Sequence, residues 1–165
     1  MEALLIFLLV LIILSAFFSG VETALISLSS VKVNSLLAEK KRGAEALFRI
    51  KSNPHRLIIT ILIGNNIVNI LASSIATVLA TQTFGNIGVG IATGVMTLII
   101  LIFGEITPKS IAVQNAETIS LLVAKPIEIL NQILTPVIII MEKLTGSIIK
   151  LFGVKGESKL TEEEL

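Results

Sequence analysis

Apolar residues run along this chain in long blocks, and polar residues interrupt the blocks at few positions. The first block goes from Ala3 to Phe18 and continues, with Glu22 as its only charge, to Leu28. From Leu57 to Gly104 there is no Asp, Glu, Lys or Arg. About 20 predominantly apolar residues cross a bilayer as a helix, so these blocks predict three spans, at about 3–28, 57–82 and 88–107. Asn53-Pro54 supplies an N-cap followed by proline at the first helical position, the expected start of the second span. The uncharged stretch Thr83 to Gly90 reads as the turn between the second and third.

Beyond Thr107-Pro108-Lys109 the pattern becomes semi-polar, with Gln114, Asn115, Glu117, Lys125 and Glu128 among the apolar residues. The longest apolar core there, Ile133 to Met141, is too short to span and contains Pro136. We therefore expect amphipathic helices, a juxtamembrane belt over about 109–152, in preference to a fourth span. The stretch Gly156 to Leu165, with Glu162, Glu163 and Glu164, reads as the start of a cytosolic linker.

Composition agrees with a membrane domain: 53% of the 165 residues are apolar and 15% charged, against about 25% charged in soluble domains. The fold class expected is all-α, with membrane spans. Cysteine is absent, which excludes disulfides and thiolate chemistry, and the single histidine, His55, argues against a zinc or copper site. A net charge of +1 with no Trp or Tyr offers no nucleic-acid surface. No nucleophile–base pair is evident, so an enzyme is not expected.

Charge sets the expected orientation. Between Val31 and Arg56 lie seven basic residues (Lys32, Lys40, Lys41, Arg42, Arg49, Lys51, Arg56) against Glu39 and Glu45. The positive-inside rule makes this connection cytoplasmic. The amino terminus then faces out and the carboxyl terminus in, and the first block is a retained helix, not a cleaved leader. Val31, Val33, Leu36 and Leu37, then Leu47, Phe48 and Ile50 after Gly43, predict two short amphipathic helices in the connection.

Polar groups inside hydrocarbon are costly and mark function by default. Span one holds Ser15, Ser19, Glu22 and Thr23, span two Asn65, Asn66 and Asn69, and span three ends in Gly104-Glu105-Ile106-Thr107-Pro108. Ser15, Ser19 and Glu22 stack near one helical face, as do Asn65 and Asn69, with Asn66 rotated by about 100°. At about 1.5 Å per residue, Ser19 lies roughly 24 Å inward from Ala3, Asn66 roughly 13 Å outward from Leu57 and Glu105 roughly 24 Å inward from Val89. These groups can converge in the inner half of the bilayer. Pro108 also removes a helical donor, and counting four back assigns the freed acceptor to the Gly104 carbonyl. Carboxylates, hydroxyls, carboxamides and carbonyls are hard donors that suit Mg²⁺, Ca²⁺ or Na⁺. Read singly, Ser15 and Ser19 also suit helix packing, and the asparagines suit interhelical hydrogen bonding.

The motifs Ser15-Ala-Phe-Phe-Ser19-Gly20-Val-Glu22-Thr23-Ala24, Gly64-Asn65-Asn66-Ile-Val-Asn69 and Gly104-Glu105-Ile-Thr107-Pro108-Lys109-Ser110 together resemble the transmembrane domain of the cyclin M / CorC family of magnesium transporters. Leu160-Thr-Glu-Glu-Glu-Leu is similar to that family's linker to cytosolic paired CBS domains. The resemblance implies a homodimer of three-span subunits and an inward-facing cavity. It implies further that Ser15, Ser19, Asn66 and Glu105 hold a largely dehydrated Mg²⁺. The activity it implies is secondary-active Mg²⁺ export, possible with Na⁺ coupling. Electrostatics leaves two alternatives open: a Na⁺ site, since one carboxylate balances one monovalent charge, and a membrane-embedded sensor or scaffold that binds without transport.

Overall fold

The computed structural model describes residues 1–151, with side chains to 148. The linker expected at 156–165, and the last residues of the expected domain and belt, lie outside the described residues. Every regular element among the described residues is helical, which makes this an all-α membrane protein.

Helix α1 runs Glu2–Ser27 and α2 and α3 run Ser30–Ala38 and Ala44–Lys51. Helix α4 runs Pro54–Phe84 and α5 Gly88–Ile99, joined by a 3₁₀ turn at Gly85–Ile87. A π-helical segment, Ile100–Ile106, passes into α6 at Thr107–Gln114, and α7 runs Ala116–Leu151.

Each boundary has a local cause. Asn53 accepts a hydrogen bond from the Arg56 N–H at 3.2 Å with Pro54 in the first turn, so α4 starts where the sequence predicts. The chain reverses after Gly85, whose φ of 64° suits glycine. Gly88 then lies so close to α4 that a Cβ there would fall 2.3 Å from the Ala80 carbonyl oxygen. Apolar lipid gives no hydrophobic drive between helices, so such small-residue contact is what lets α4 and α5 pack.

The third crossing is longer than expected. It continues without interruption from Gly88 through the π segment to Gln114, past Pro108. Pro108 falls in the first turn of α6, and the turn before it is wound wide, with the Thr107 N–H reaching the Ile102 carbonyl five residues back. A proline after a wide turn is absorbed as a register change rather than a break. The same change alters the acceptor count: five back from Pro108 is Phe103, where the α-helical count gave Gly104.

Helix α7 meets the length and hydropathy of a span over Ala116–Ile148 and passes through Pro126 and Pro136 unbroken. Its ion pairs show where it runs. Glu117 pairs with Lys32 at 2.9 Å and Lys41 at 2.6 Å, Glu128 with Arg49 at 2.5 Å and Glu142 with Arg56 at 3.6 Å. Glu117 and Glu142 are roughly 37 Å apart along a helix, yet their partners belong to the connection between α1 and α4 or to the first turn of α4. A crossing helix would carry Glu142 some 30 Å from that level. Helix α7 therefore follows the charged end of the bundle as one continuous helix, where the sequence suggested several.

Two apolar clusters result. The proximal one, at the basic end, joins Val21, Leu25, Val33, Leu36, Leu47, Ile50, Leu57, Ile61, Val123 and Ile127. It buries the apolar sides of α2 and α3, while Val31 and Phe48 stay exposed. Lys51 fastens it by donating to the Leu25 and Leu28 carbonyls at 2.7 and 2.5 Å, closing the open end of α1, and burial pushes its ammonium pKa down. The distal cluster joins Leu11, Val68, Ala72, Ala76 and Met96.

Candidate cation site

Between the two clusters lies a polar layer. On α1 it falls between Leu11 and Val21, on α4 between Ile61 and Ala72, with Val68 of the distal cluster interleaved, and on the third crossing just after Ile100. Phe18 packs against both clusters and ties the layer together. Its ring fills the space beside Gly64, where a Cβ would stand 2.5 Å from the ring.

 Ser19 on α1 and Asn65 on α4 thus share one height in the bundle. On the other side of α1, Gly104 abuts Ser15 so closely that a Cβ there would lie 2.6 Å from the Ser15 hydroxyl oxygen. Gly20 faces Pro108 in the same way, with its Cβ position 3.6 Å from the Pro108 carbonyl. Helix α1 is therefore clamped between α4 and the π segment, and the π turn brings Gly104 against Ser15, with Glu105 next along the chain.

Ser15 and Ser19 are both fully buried, and neither hydroxyl has a hydrogen-bond partner. The carboxamide oxygens of Asn65 and Asn69 are buried and unpartnered too. A helical hydroxyl normally returns its proton to the carbonyl four residues back, as Thr23 does to Ser19 at 3.2 Å and Thr60 to Arg56 at 2.8 Å. An unmade hydrogen bond in a buried site costs about 1–3 kcal/mol per group. Four such atoms on two adjoining helices make a layer that a cation would satisfy, because all four can donate lone pairs.

The structure places the expected residues unequally. Ser15 and Ser19 sit in the layer, and Glu105, half-buried, follows the glycine that touches Ser15. Asn66 does not join them: it is exposed, and its amide donates to the Leu62 carbonyl at 2.8 Å within its own helix. The residues that point inward on α4 are Asn65 and Asn69. Their spacing of four carried the signal, since it puts them on one face while Asn66 is turned away. Glu22 lies 3.5 Å from the Lys109 ammonium, so its charge is compensated before any ion arrives. No group of three His, Cys, Asp or Glu side chains stands together among the described residues. The oxygens buried in the layer are hydroxyl and carboxamide, with the Glu105 carboxyl next to Gly104 in sequence, a chemistry that would suit a hard cation.

Comparison with known proteins bears on this layer. The family model described as the cyclin M transmembrane N-terminal domain matches residues 5–165. A DUF21 domain-containing chloroplastic protein of Arabidopsis thaliana is 45% identical over 158 residues, which is 94% of this chain and 24% of the relative. A UPF0053 protein of Haemophilus influenzae is 37% identical over 168 residues, 100% of this chain and 40% of the relative. The UPF0053 inner membrane protein YfjD of Escherichia coli is 35% identical over 159 residues, 92% of this chain and 36% of the relative. The chain thus spans less than half the length of each of these relatives.

Proposed function

The chain belongs to the cyclin M transmembrane-domain family, and from that premise we propose that it is a secondary-active Mg²⁺ exporter whose polar layer holds the ion in transit. The observation that supports this most is the set of buried, unpartnered oxygens on Ser15, Ser19, Asn65 and Asn69 beside Gly104 and Glu105. Glu105 neutralises one charge, and the hydroxyl and carboxamide oxygens replace water. Mg²⁺ gives up its water reluctantly, so the site needs rigid walls, which the Gly104–Ser15 and Gly64–Phe18 contacts supply. In this reading the basic connection is cytoplasmic, the amino terminus faces out, and the ion enters from the side of α2 and α3. The working unit in this reading is a homodimer in the bilayer, with a cytosolic CBS pair as the expected partner domain.

Nothing in the three family motifs binds a nucleotide phosphate, so export would draw on an ion gradient, with Na⁺ as the counter-ion. One observation favours a second reading. Because Lys109 compensates Glu22, only Glu105 is left to balance a bound ion. One carboxylate matches Na⁺ and leaves Mg²⁺ with residual charge in a low-dielectric layer. A Na⁺ site, or a Mg²⁺ sensor that binds without moving ions, follows from that count.

The test is Mg²⁺ flux into proteoliposomes with and without a Na⁺ gradient, beside Mg²⁺-dependent thermal stabilisation of wild type and Glu105→Gln. The account expects flux that needs the gradient, and loss of both flux and stabilisation in the variant. Stabilisation without flux would favour the sensor. Stabilisation by Na⁺ alone would favour the monovalent site.

A further inference from the structure

Away from the polar layer, the turn joining α2 to α3 and the first half of α7 border two adjoining open pockets, of about 690 and 450 Å³. Both are lined by Lys41, Arg42 and Lys125. The first adds an apolar wall of Leu121, Leu122 and Pro126, and the second adds Lys40. Lys41 is committed to Glu117. Lys40, Arg42 and Lys125 are exposed and form no ion pair with any described residue. Three cations thus share a mouth beside an apolar wall on which Leu122 is 78% exposed.

The backbone adds an independent observation. The Lys41 N–H donates to the Leu36 carbonyl at 3.2 Å and the Lys40 N–H to the Leu37 carbonyl at 3.0 Å. This pair of bonds closes α2 with its last position in the left-handed region, a position that glycine or asparagine ordinarily fills. Here it is Lys40, at φ 54°. A lysine in that conformation is strained where glycine would not be, and the strain sets an ammonium at the cavity mouth. Three residues on, Gly43 at φ 90° seats the turn against α7, where a Cβ would lie 2.3 Å from the Leu121 carbonyl oxygen. The cationic turn is thereby held at a fixed distance from the apolar wall.

Position identifies the occupant. The turn belongs to the basic connection that links the end of α1 to the start of α4, which the proposed orientation sets at the boundary between hydrocarbon and head groups. A ligand with an anionic head and an apolar body fits this mouth and wall, and the bilayer supplies such a ligand at that depth. We infer that the pocket between residues 40–43 and α7 binds an anionic phospholipid, its phosphate held by Lys40, Arg42 and Lys125 and its acyl chain laid along Leu121, Leu122 and Pro126.

The experiment uses the purified chain in nanodiscs of phosphatidylcholine with and without phosphatidylglycerol, reading lipid retention by native mass spectrometry and unfolding temperature. Wild type should retain phosphatidylglycerol over phosphatidylcholine, and each of K40G, R42Q and K125Q should lower that preference about fivefold. K40G should also raise the unfolding temperature in neutral lipid, because it relieves the strain; a merely structural lysine would lose stability and lipid together. Equal preference in wild type and the K40G/R42Q/K125Q variant would overturn the proposal. So would equal stabilisation by inorganic phosphate in neutral lipid, which would make this a free-phosphate site. A wild-type preference as low as the triple variant's, restored by changing Glu162, Glu163 and Glu164 to Gln, would name the acidic segment as the occupant and overturn it likewise. Mg²⁺-dependent stabilisation, measured on the same samples, should be unchanged by the triple variant, so failure of the lipid site and failure of the cation site are read separately.

Discussion

Two polar regions cross the apolar part of this molecule, and they differ in whether their groups are satisfied. Distal to the basic connection, α4 and α5 enclose a crevice of about 300 Å³ lined in part by Ser73, Thr77, Thr93 and Thr97. Three of these hydroxyls donate within their own helices: Thr77 to Ser73 at 2.8 Å, Thr93 to Val89 at 2.9 Å and Thr97 to Thr93 at 2.7 Å. In the layer between the apolar clusters, Ser15 and Ser19 leave the same kind of bond unmade, and Asn65 and Asn69 leave their oxygens bare. Both regions carry helical hydroxyls, but the threonines of the crevice are bonded within their helices and the serines of the layer are not. A satisfied hydroxyl avoids the penalty of burial, whereas a buried unsatisfied one costs free energy that an oxygen-seeking ligand would recover.

The largest effect expected from this contrast is at Gly104. Gly104→Ala drives a methyl to within 2.6 Å of the Ser15 hydroxyl oxygen and should cost about 1–3 kcal/mol of stability by overpacking, while abolishing Mg²⁺-dependent stabilisation. Gly94→Ala, with open space at its Cβ position, should leave both unchanged in the same thermal assay.

Next come the serines. Ser15→Ala and Ser19→Ala should each raise the unfolding temperature without ion, by removing a penalty of about 1–2 kcal/mol, and weaken Mg²⁺ affinity at least about tenfold, the factor that corresponds to 1.4 kcal/mol. Thr97→Val should do neither. Loss of apo stability in Ser15→Ala would mean that its hydroxyl is satisfied after all.

The asparagines sharpen the contrast within one helix turn. Asn69→Ala should weaken Mg²⁺ binding as strongly as Ser19→Ala does, and Asn66→Ala should change it by less than about twofold, since surface substitutions fall within about 0.5 kcal/mol. Calorimetric titration checks both, and the reverse order would restore Asn66 to the site.

The sequence pattern was enough to locate the helices, because long uncharged blocks leave few alternatives to spans. Asn53-Pro54 marked the start of α4 by cap chemistry alone. What the pattern misjudged followed from tertiary contacts. Pro108 reads as a stop in isolation, but the π turn ahead of it shifts the register and lets the helix run on. Pro136 likewise reads as an interruption, while the pairs of Glu117, Glu128 and Glu142 hold α7 along the basic end of the bundle. At the site, the faces of Ser15 and Ser19 were legible from helical spacing. The choice among Asn65, Asn66 and Asn69 was not, because rotation of α4 about its axis is fixed by Gly64 against Phe18, a contact that spacing does not reveal.

The smallest expected effect is one of pH, at the far end from the distal crevice. Hydrogen bonds from Lys41 and then Lys32 hold the Glu117 carboxyl below its ordinary 4.5, and Arg49 does the same for Glu128. A carboxyl whose pKa is lowered by folding adds stability that is complete above its ordinary value and is lost as pH falls through the lowered one. Hydrogen exchange should therefore show α7 loosening only below about pH 4.5, and only slightly, because these pairs are solvent-screened.

The central claim is that oxygens from three separate helical segments surround one hard cation. A crystal structure of the chain soaked with Mn²⁺, a hard divalent surrogate with an anomalous signal, tests it most directly. The account predicts a single peak within bonding distance of Ser15 or Ser19, Asn65 or Asn69, and Glu105. Glu105 turned into lipid, with no peak beside the serines, would contradict it.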